Sequence, residues 1–270
     1  MVKTMSIQTI KVGQLEYLTA EGITCPHCFT TRFGGVSEGI FDSLNIAIKE
    51  GESEENVRRN LEILGEAVGF GLEDLVLTRQ THTDIVRVVS RKDHLGYFHR
   101  DYPECDGLVT CDEGVALMIF TADCTPLLFH DPVTGAVGAA HAGWRGTASA
   151  IGAKTVAAMV ENFGCKPEDI HAAIGPNIGG CCFETDADVP DAMIAAFGVE
   201  VKPFIRQSGE KYYLNLKEIN ALILRRAGVR HIEISDACTA CENHRYWSHR
   251  VTHGQRGSQG AVIVCKEGER

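Results

Sequence analysis

TADCTPLLFHDPVTGAVGAAHAGWRGT, residues Thr121 to Thr147, contains two short apolar runs separated by a turn. Pro126–His130 is the first run and the small-residue run Ala136–Ala140 is the second. Asp131-Pro-Val-Thr-Gly135 lies between them, with Pro and Gly where a turn needs a fixed φ and a permissive one. A hairpin closing between Asp131 and Ala136 places Cys124 opposite residues 141 to 143, to within a residue or two. Cys124 and His141 then leave the sheet side by side, with Asp123 adjacent. Gly143 and Gly146 let backbone approach whatever sits there.

Outward from the hairpin, strands and helices both recur. Strand-like segments are expected at Leu15–Leu18, Phe29–Arg32, Leu75–Leu77, Ile85–Val89 and Leu108–Thr110, with the start of the chain loose. Val115–Phe120 is a continuous apolar run, the pattern of a strand buried on both faces. Further strands are expected at His171–Ile174, Tyr212–Leu214, Ile232–Ile234 and Ala261–Cys265. Ser53–Gly65 reads as a helix N-capped by Ser53 and interrupted by Gly65, Gly69 and Gly71. Helical spacing recurs over Ala148–Phe163, stopping at Gly164, and over Val189–Phe197 and Leu216–Ala227. Residues 91–105 read as a surface excursion. The expectation is an α+β fold, a single domain over residues 1–270, with mixed, largely hairpin-built sheets layered against outer helices in an α/β/β/α manner.

The chain has 270 residues and a net charge of −10, which argues against a general nucleic-acid or membrane-surface binder. No apolar run is long enough to span a membrane and Met1–Gln14 lacks a signal-peptide core, so the expected location is cytoplasmic. Eleven cysteines, an odd number, then read as buried, metal-binding or catalytic thiols.

Cys124 and His141 admit two readings. With His82, from Arg79-Gln-Thr-His82, they make two imidazoles and one thiolate, a three-ligand zinc site with an open fourth position. Alternatively, Cys124 is a nucleophile activated by His141, as in a cysteine hydrolase. Outside enzymology, the thiols of a metal-buffering scaffold would serve as well. Two Cys-x-x-Cys pairs, Cys25/Cys28 and Cys238/Cys241, have the elements of a closed four-thiolate site. The preferred reading is that the first leads into a strand and the second follows one. Arg32, Arg58, Arg59, Arg145 and the basic His244–Gly257 stretch are expected to line an anion-binding cleft. The Gly175–Gly180 loop has the glycines of a phosphate cradle without the Lys-Ser/Thr ending of a P-loop.

TTRFGGVSEG, SLN, RQTHTDIV, CDGLVT, TADCTPLLFHD, AAHAGWRGT and GPNIGGCCFE occur in that order. Together, over about Phe29 to Val264, they resemble the laccase-domain or polyphenol oxidase family, whose members are also described as purine nucleoside phosphorylases of the multi-copper-oxidase-like type. The resemblance implies a zinc ion held by His82, Cys124 and His141. It also implies phosphorolysis of adenosine, inosine, guanosine and methylthioadenosine, together with adenosine deamination. Copper is the less favoured metal: multicopper oxidases use clustered histidine pairs, and no His-x-His occurs in the chain. For substrate, Arg32 and Arg58 are expected to hold phosphate or ribose oxygens, and Asn45 and Gln80 to make polar contacts to the nucleoside. The zinc-deaminase combination of His-x-Glu followed by Pro-Cys-x-x-Cys is absent, so the general acid must come from elsewhere, and Asp123 is one candidate.

Overall fold

The computed structural model describes residues 6–94, 96–98 and 103–266. Its strands are β1 (Ile7–Val12), β2 (Leu15–Ala20), β3 (His27–Thr30), β4 (Leu75–Leu77), β5 (Val86–Val88), β6 (Gly107–Thr110), β7 (Ala116–Thr121) and β8 (Thr125–His130). They continue with β9 (Val137–Ala142), β10 (His171–Ile174), β11 (Glu184–Thr185), β12 (Ile205–Ser208), β13 (Lys211–Leu214), β14 (His231–Ile234) and β15 (Gln259–Val264). The helices are α1 (Glu54–Val68), α2 (Trp144–Ala148), α3 (Ile151–Phe163), α4 (Asp188–Phe197), α5 (Leu216–Arg226) and α6 (His249–Thr252).

Two six-stranded sheets carry the fold. The first runs β1-β2-β3-β15-β7-β4 and the second β14-β10-β8-β9-β6-β5; β11-β13-β12 form a small third sheet. Hairpin pairing is antiparallel, whereas β4–β7, β5–β6 and β10–β14 are parallel, so both large sheets are mixed. The expected α+β architecture is the observed one.

The apolar runs explain the layering. In β7, Leu117 and Ile119 join a core between the sheets that also holds Leu128 and Ala139. Their neighbours Ala116 and Met118 face the other way, packing with Leu61 and Leu64 of α1. In β8, Leu127 and Phe129 meet Val156 and Met159 of α3 and Leu224 of α5. Each central strand thus buries both faces at period two, which a half-exposed strand would not do. Burying these faces is the main stabilising term, at roughly 25 cal/mol per Å² of apolar surface.

Several boundaries differ from those expected. The loose start is in fact β1, an exposed edge strand whose alternation is too weak to read. Helix α1 runs through Gly65 to a left-handed Gly69 cap. A Cβ on Gly65 would lie 2.3 Å from Phe70 O, so that glycine serves packing and does not interrupt the helix. Residues 148–163 do not form one helix, because Ala150 at φ 57° separates α2 from α3. Within the excursion at 91–105, Tyr97 is buried, with its hydroxyl on Ile46 O; residues 95 and 99–102 lie outside the described residues.

Candidate metal centre and its cavity

Strand β7 lies in the first sheet and β8 in the second, so Ala122-Asp123-Cys124 bridges the two layers. Asp123 makes that short crossing in the left-handed region, at φ 85°. Across the β8–β9 hairpin, Pro126 pairs with His141 and Thr125 with Ala142. Cys124 therefore stands at the strand end beside His141 and Gly143, within the register read from the sequence.

His82 arrives from a different direction, in the link between β4 and β5, with φ 62°. Asp106, fully buried just before β6, joins the two histidines. Its carboxylate accepts the N–H groups of Thr81 (3.1 Å), His82 (3.2 Å) and Thr83 (2.8 Å), and the Thr83 hydroxyl at 2.8 Å. It also lies 2.7 Å from His141 Nδ1, which donates to it and leaves Nε2 of that ring as the free ligand atom.

The ligand atoms of His82, Cys124 and His141 all lie within 4.8 Å of one another. His82 Nε2 is 3.9 Å from Cys124 Sγ, and the two imidazoles meet edge to face at 5.0 Å. Only glycine fits at 143: a Cβ there would stand 2.8 Å from His82 Cδ2 and 3.2 Å from Cys124 Sγ. Electrostatics make the trio ligand-like. Burial alone would raise the Cys124 thiol, but His141 and then His82 overcome it and bring it to about 6. Burial would lower His141, yet Cys124 and Asp106 raise it to about 9. Burial opposes ionisation of Asp106 too, and the His141 and Thr83 hydrogen bonds still bring it to about 2.

The trio opens into a cavity of about 500 Å³. Phe120, Trp144, Ile178, Phe183 and Leu216 give it apolar walls; Lys49, Arg250 and Arg256 give it positive charge, with His249 beside them. Burial, and for Lys49 the adjacent Arg256, lower the pKa of both Lys49 and Arg256. Arg256 Nε is buried without a hydrogen-bond partner among the described residues. This corner of the cavity carries the chemistry of an anion site.

Of the expected substrate residues, Gln80 lines the cavity, though its amide is engaged with Phe120 N–H and C=O, both at 2.7 Å. Arg32, Asn45 and Arg58 do not line it. Arg32 donates to Asp42 O and Asn243 O and stacks 4.0 Å over Trp247. Asn45 is fully buried and ties Ala47, Glu52 and Ser258 together. Arg58 lies over the Phe98 ring. Arg59 pairs with Glu62 and Arg145 stacks on Trp144. The expected anion cleft therefore draws its cations from the tail and from Lys49, which carried no local signal.

The Gly175–Gly180 loop does not present a full row of N–H groups to a phosphate, since three of them are already engaged. Gly175 donates to Pro126 O and Ile178 to Asp123 O, both at 2.9 Å, and Gly179 donates to Cys238 Sγ. Asp123 lines the cavity with both carboxylate oxygens occupied, by the Thr239 hydroxyl at 2.6 Å and Arg250 N–H at 2.7 Å. Cys25 and Cys28 are core thiols, pushed up to about 12 by burial. Cys238 and Cys241 are not simply a strand exit, for they converge with Cys181 and Cys182.

The family model for multi-copper polyphenol oxidoreductase laccase matches residues 26–266. The chain belongs to that family. Among family relatives, it is 37% identical over 245 residues to the purine nucleoside phosphorylase YlmD of Bacillus subtilis strain 168, covering 88% of each chain. It is 39% identical over 252 residues to a purine nucleoside phosphorylase of Deinococcus radiodurans, covering 92% of each. The crystal structure of YlmD from Geobacillus stearothermophilus superposes with a TM-score of 0.89 at 36% identity, over 96% of this chain and 99% of that one. The relatives are named as enzymes, and this member of the laccase family is an enzyme with them.

Proposed function

We propose that the cavity phosphorolyses purine nucleosides, with a zinc ion held by His82, Cys124 and His141. One observation carries the reading: the His/Cys/His trio, the cationic corner of Lys49 and Arg256, and the aromatic walls of Trp144 and Phe183 share a single cavity. The relatives' names point the same way.

The donor set suits the ion. Two imidazole nitrogens and one thiolate converge, and Asp106 fixes which nitrogen of His141 is free. Zinc bound there would supply a Lewis acid with one open position.

The chain's own residues do the rest. Lys49 and Arg256 hold the phosphate, because they are half-buried cations able to exchange water for charge-assisted hydrogen bonds. Trp144 and Phe183 flank the flat purine and keep water from it. His249 faces the same space with its pKa lowered, by burial first and then by Arg256, so it is a neutral imidazole able to take or return a proton. Asp123 shapes the wall through Thr239 and Arg250 and does not serve as the acid. Adenosine, inosine, guanosine and methylthioadenosine are the proposed substrates, and adenosine deamination the second reaction of the same cavity.

The test is chromatographic. Zinc-loaded protein with inosine should release hypoxanthine only when phosphate is present, and adenosine should yield inosine and ammonia without phosphate. If all four nucleosides stay intact with and without phosphate, the reading fails. A cysteine-hydrolase reading has one observation in its favour, the thiolate–imidazolium pairing of Cys124 with His141. Activity that survives chelation and dies on alkylation of Cys124 would select it.

A further inference from the structure

Away from the His/Cys/His trio, four more thiols converge. Cys181 and Cys182 lie on the turn before β11, and Cys238 and Cys241 on the turn after β14. Their sulfurs all lie within 4.8 Å of one another, with Cys241 Sγ 3.5 Å from Cys181 Sγ and 3.4 Å from Cys182 Sγ. None of the four is in a disulfide. Tetrahedral zinc with bonds of about 2.3 Å spaces its sulfurs by about 3.8 Å, so the cluster needs only small side-chain adjustments to close on one ion. An iron–sulfur cluster distributes its cysteines over several irons and spreads them wider than this.

Two further features are built around these sulfurs. Cys238 Sγ accepts the Gly179 N–H at 3.1 Å and the N–H groups of Ala240 and Cys241, so the Cys-x-x-Cys turn is folded around that sulfur. Gly179 permits this, since a Cβ there would lie 3.2 Å from Cys181 Sγ and 3.4 Å from Cys238 Sγ. The second feature is Lys217, buried in α5. Its ammonium donates to Ser235 O (2.7 Å) and Ala237 O (2.6 Å) and is near enough to interact electrostatically with Cys238 and Cys181. A four-thiolate zinc centre carries a net charge of about −2, and a fixed neighbouring cation offsets part of it.

We propose that Cys181, Cys182, Cys238 and Cys241 bind one structural zinc ion, separate from the trio. Four protein ligands leave no open position, so the ion acts as a clamp. It joins the segment carrying Ile178 and Phe183 to the one leading to His249 and Arg250, which together form one wall of the cavity. Arg250 already links the two by donating to Cys182 O at 3.1 Å and Glu184 O at 2.8 Å.

Metal content of the full chain, purified under reducing conditions and read by inductively coupled plasma mass spectrometry, tests this. The Cys124→Ser chain has lost a ligand of the trio, so zinc it retains reports the four thiols alone, whatever the fate of the phosphorolysis reading. One zinc per Cys124→Ser chain, falling to none on adding Cys241→Ser, is expected. Because Cys241→Ser could impair folding, alkylation mapping of the Cys124→Ser chain supplies a second readout. Bound zinc should shield Cys181, Cys182, Cys238 and Cys241 together, and a chelator should expose them together. A Cys124→Ser chain that binds no zinc, or whose four thiols alkylate equally fast with zinc and with chelator, overturns the proposal. So does a disulfide among the four in reduced protein.

Discussion

Asp106 accepts the Nδ1 proton of His141 across 2.7 Å while its carboxylate also collects the backbone of Thr81, His82 and Thr83. One buried carboxylate thus sets both the tautomer of one imidazole and the position of the other.

Asp106→Asn keeps the shape but removes the charge and one acceptor. Zinc affinity at the trio should fall by about 10–100-fold, the usual effect of losing a partner behind a metal-binding histidine. Competition titration against a chromophoric chelator measures it. Unchanged affinity in a folded variant would mean that the trio orients itself without Asp106.

Cys124 sets a pH dependence. In metal-free protein, burial opposes its ionisation, but His141 and His82 hold it at about 6. Below that pH the group is a thiol and above it a thiolate, so its alkylation should rise through pH 6 and level off, well before an ordinary thiol reacts. Acidification through the same range should release zinc, since the proton and the metal compete for one sulfur. A midpoint near that of a free cysteine would show that the imidazoles do not act on it.

Lys49→Ala and Arg256→Ala each remove a charge-assisted hydrogen bond from the proposed phosphate. At about 1.5–3 kcal/mol apiece, the KM for phosphate should rise about 10–100-fold, with nucleoside affinity little changed. Initial rates against phosphate concentration separate the two. Equal losses for phosphate and nucleoside would place the anion elsewhere.

Ser53 caps α1 by accepting the N–H groups of Glu55 and Asn56. Ser53→Ala should lower stability by about 1 kcal/mol without affecting the cavity. Calorimetry should show Tm lower by about 2–3 °C, and zinc content should stay the same.

The hairpin was legible because its determinants are local: two runs of matched length around Asp131–Gly135 fix which residues leave the strand ends together. His82 could be set beside Cys124 and His141 in sequence only by its ligand chemistry, since no local pattern shows that Asp106 draws it in. Arg32 and Arg58 lie outside this cavity, and a guanidinium stacked on Trp247 or Phe98 reads, in sequence, like one facing a ligand. Lys49 and Arg256 were invisible as a pair, more than two hundred residues apart in the chain and adjacent only through the fold. Adjacent Cys181-Cys182 lacks the usual ligand spacing, and its partners lie about sixty residues on. Such a cluster exists only at the tertiary level.

Strand β15 sits between β3 and β7, in the interior of the first sheet. The hairpin made by the earliest strands and the crossover carrying Cys124 therefore stay unjoined until β15 has left the ribosome. Arg256, three residues ahead of β15, reaches its place only as that strand docks. Docking of β15 completes the sheet, and a chain interrupted before that strand would present two open strand edges to its neighbours in place of a working pocket.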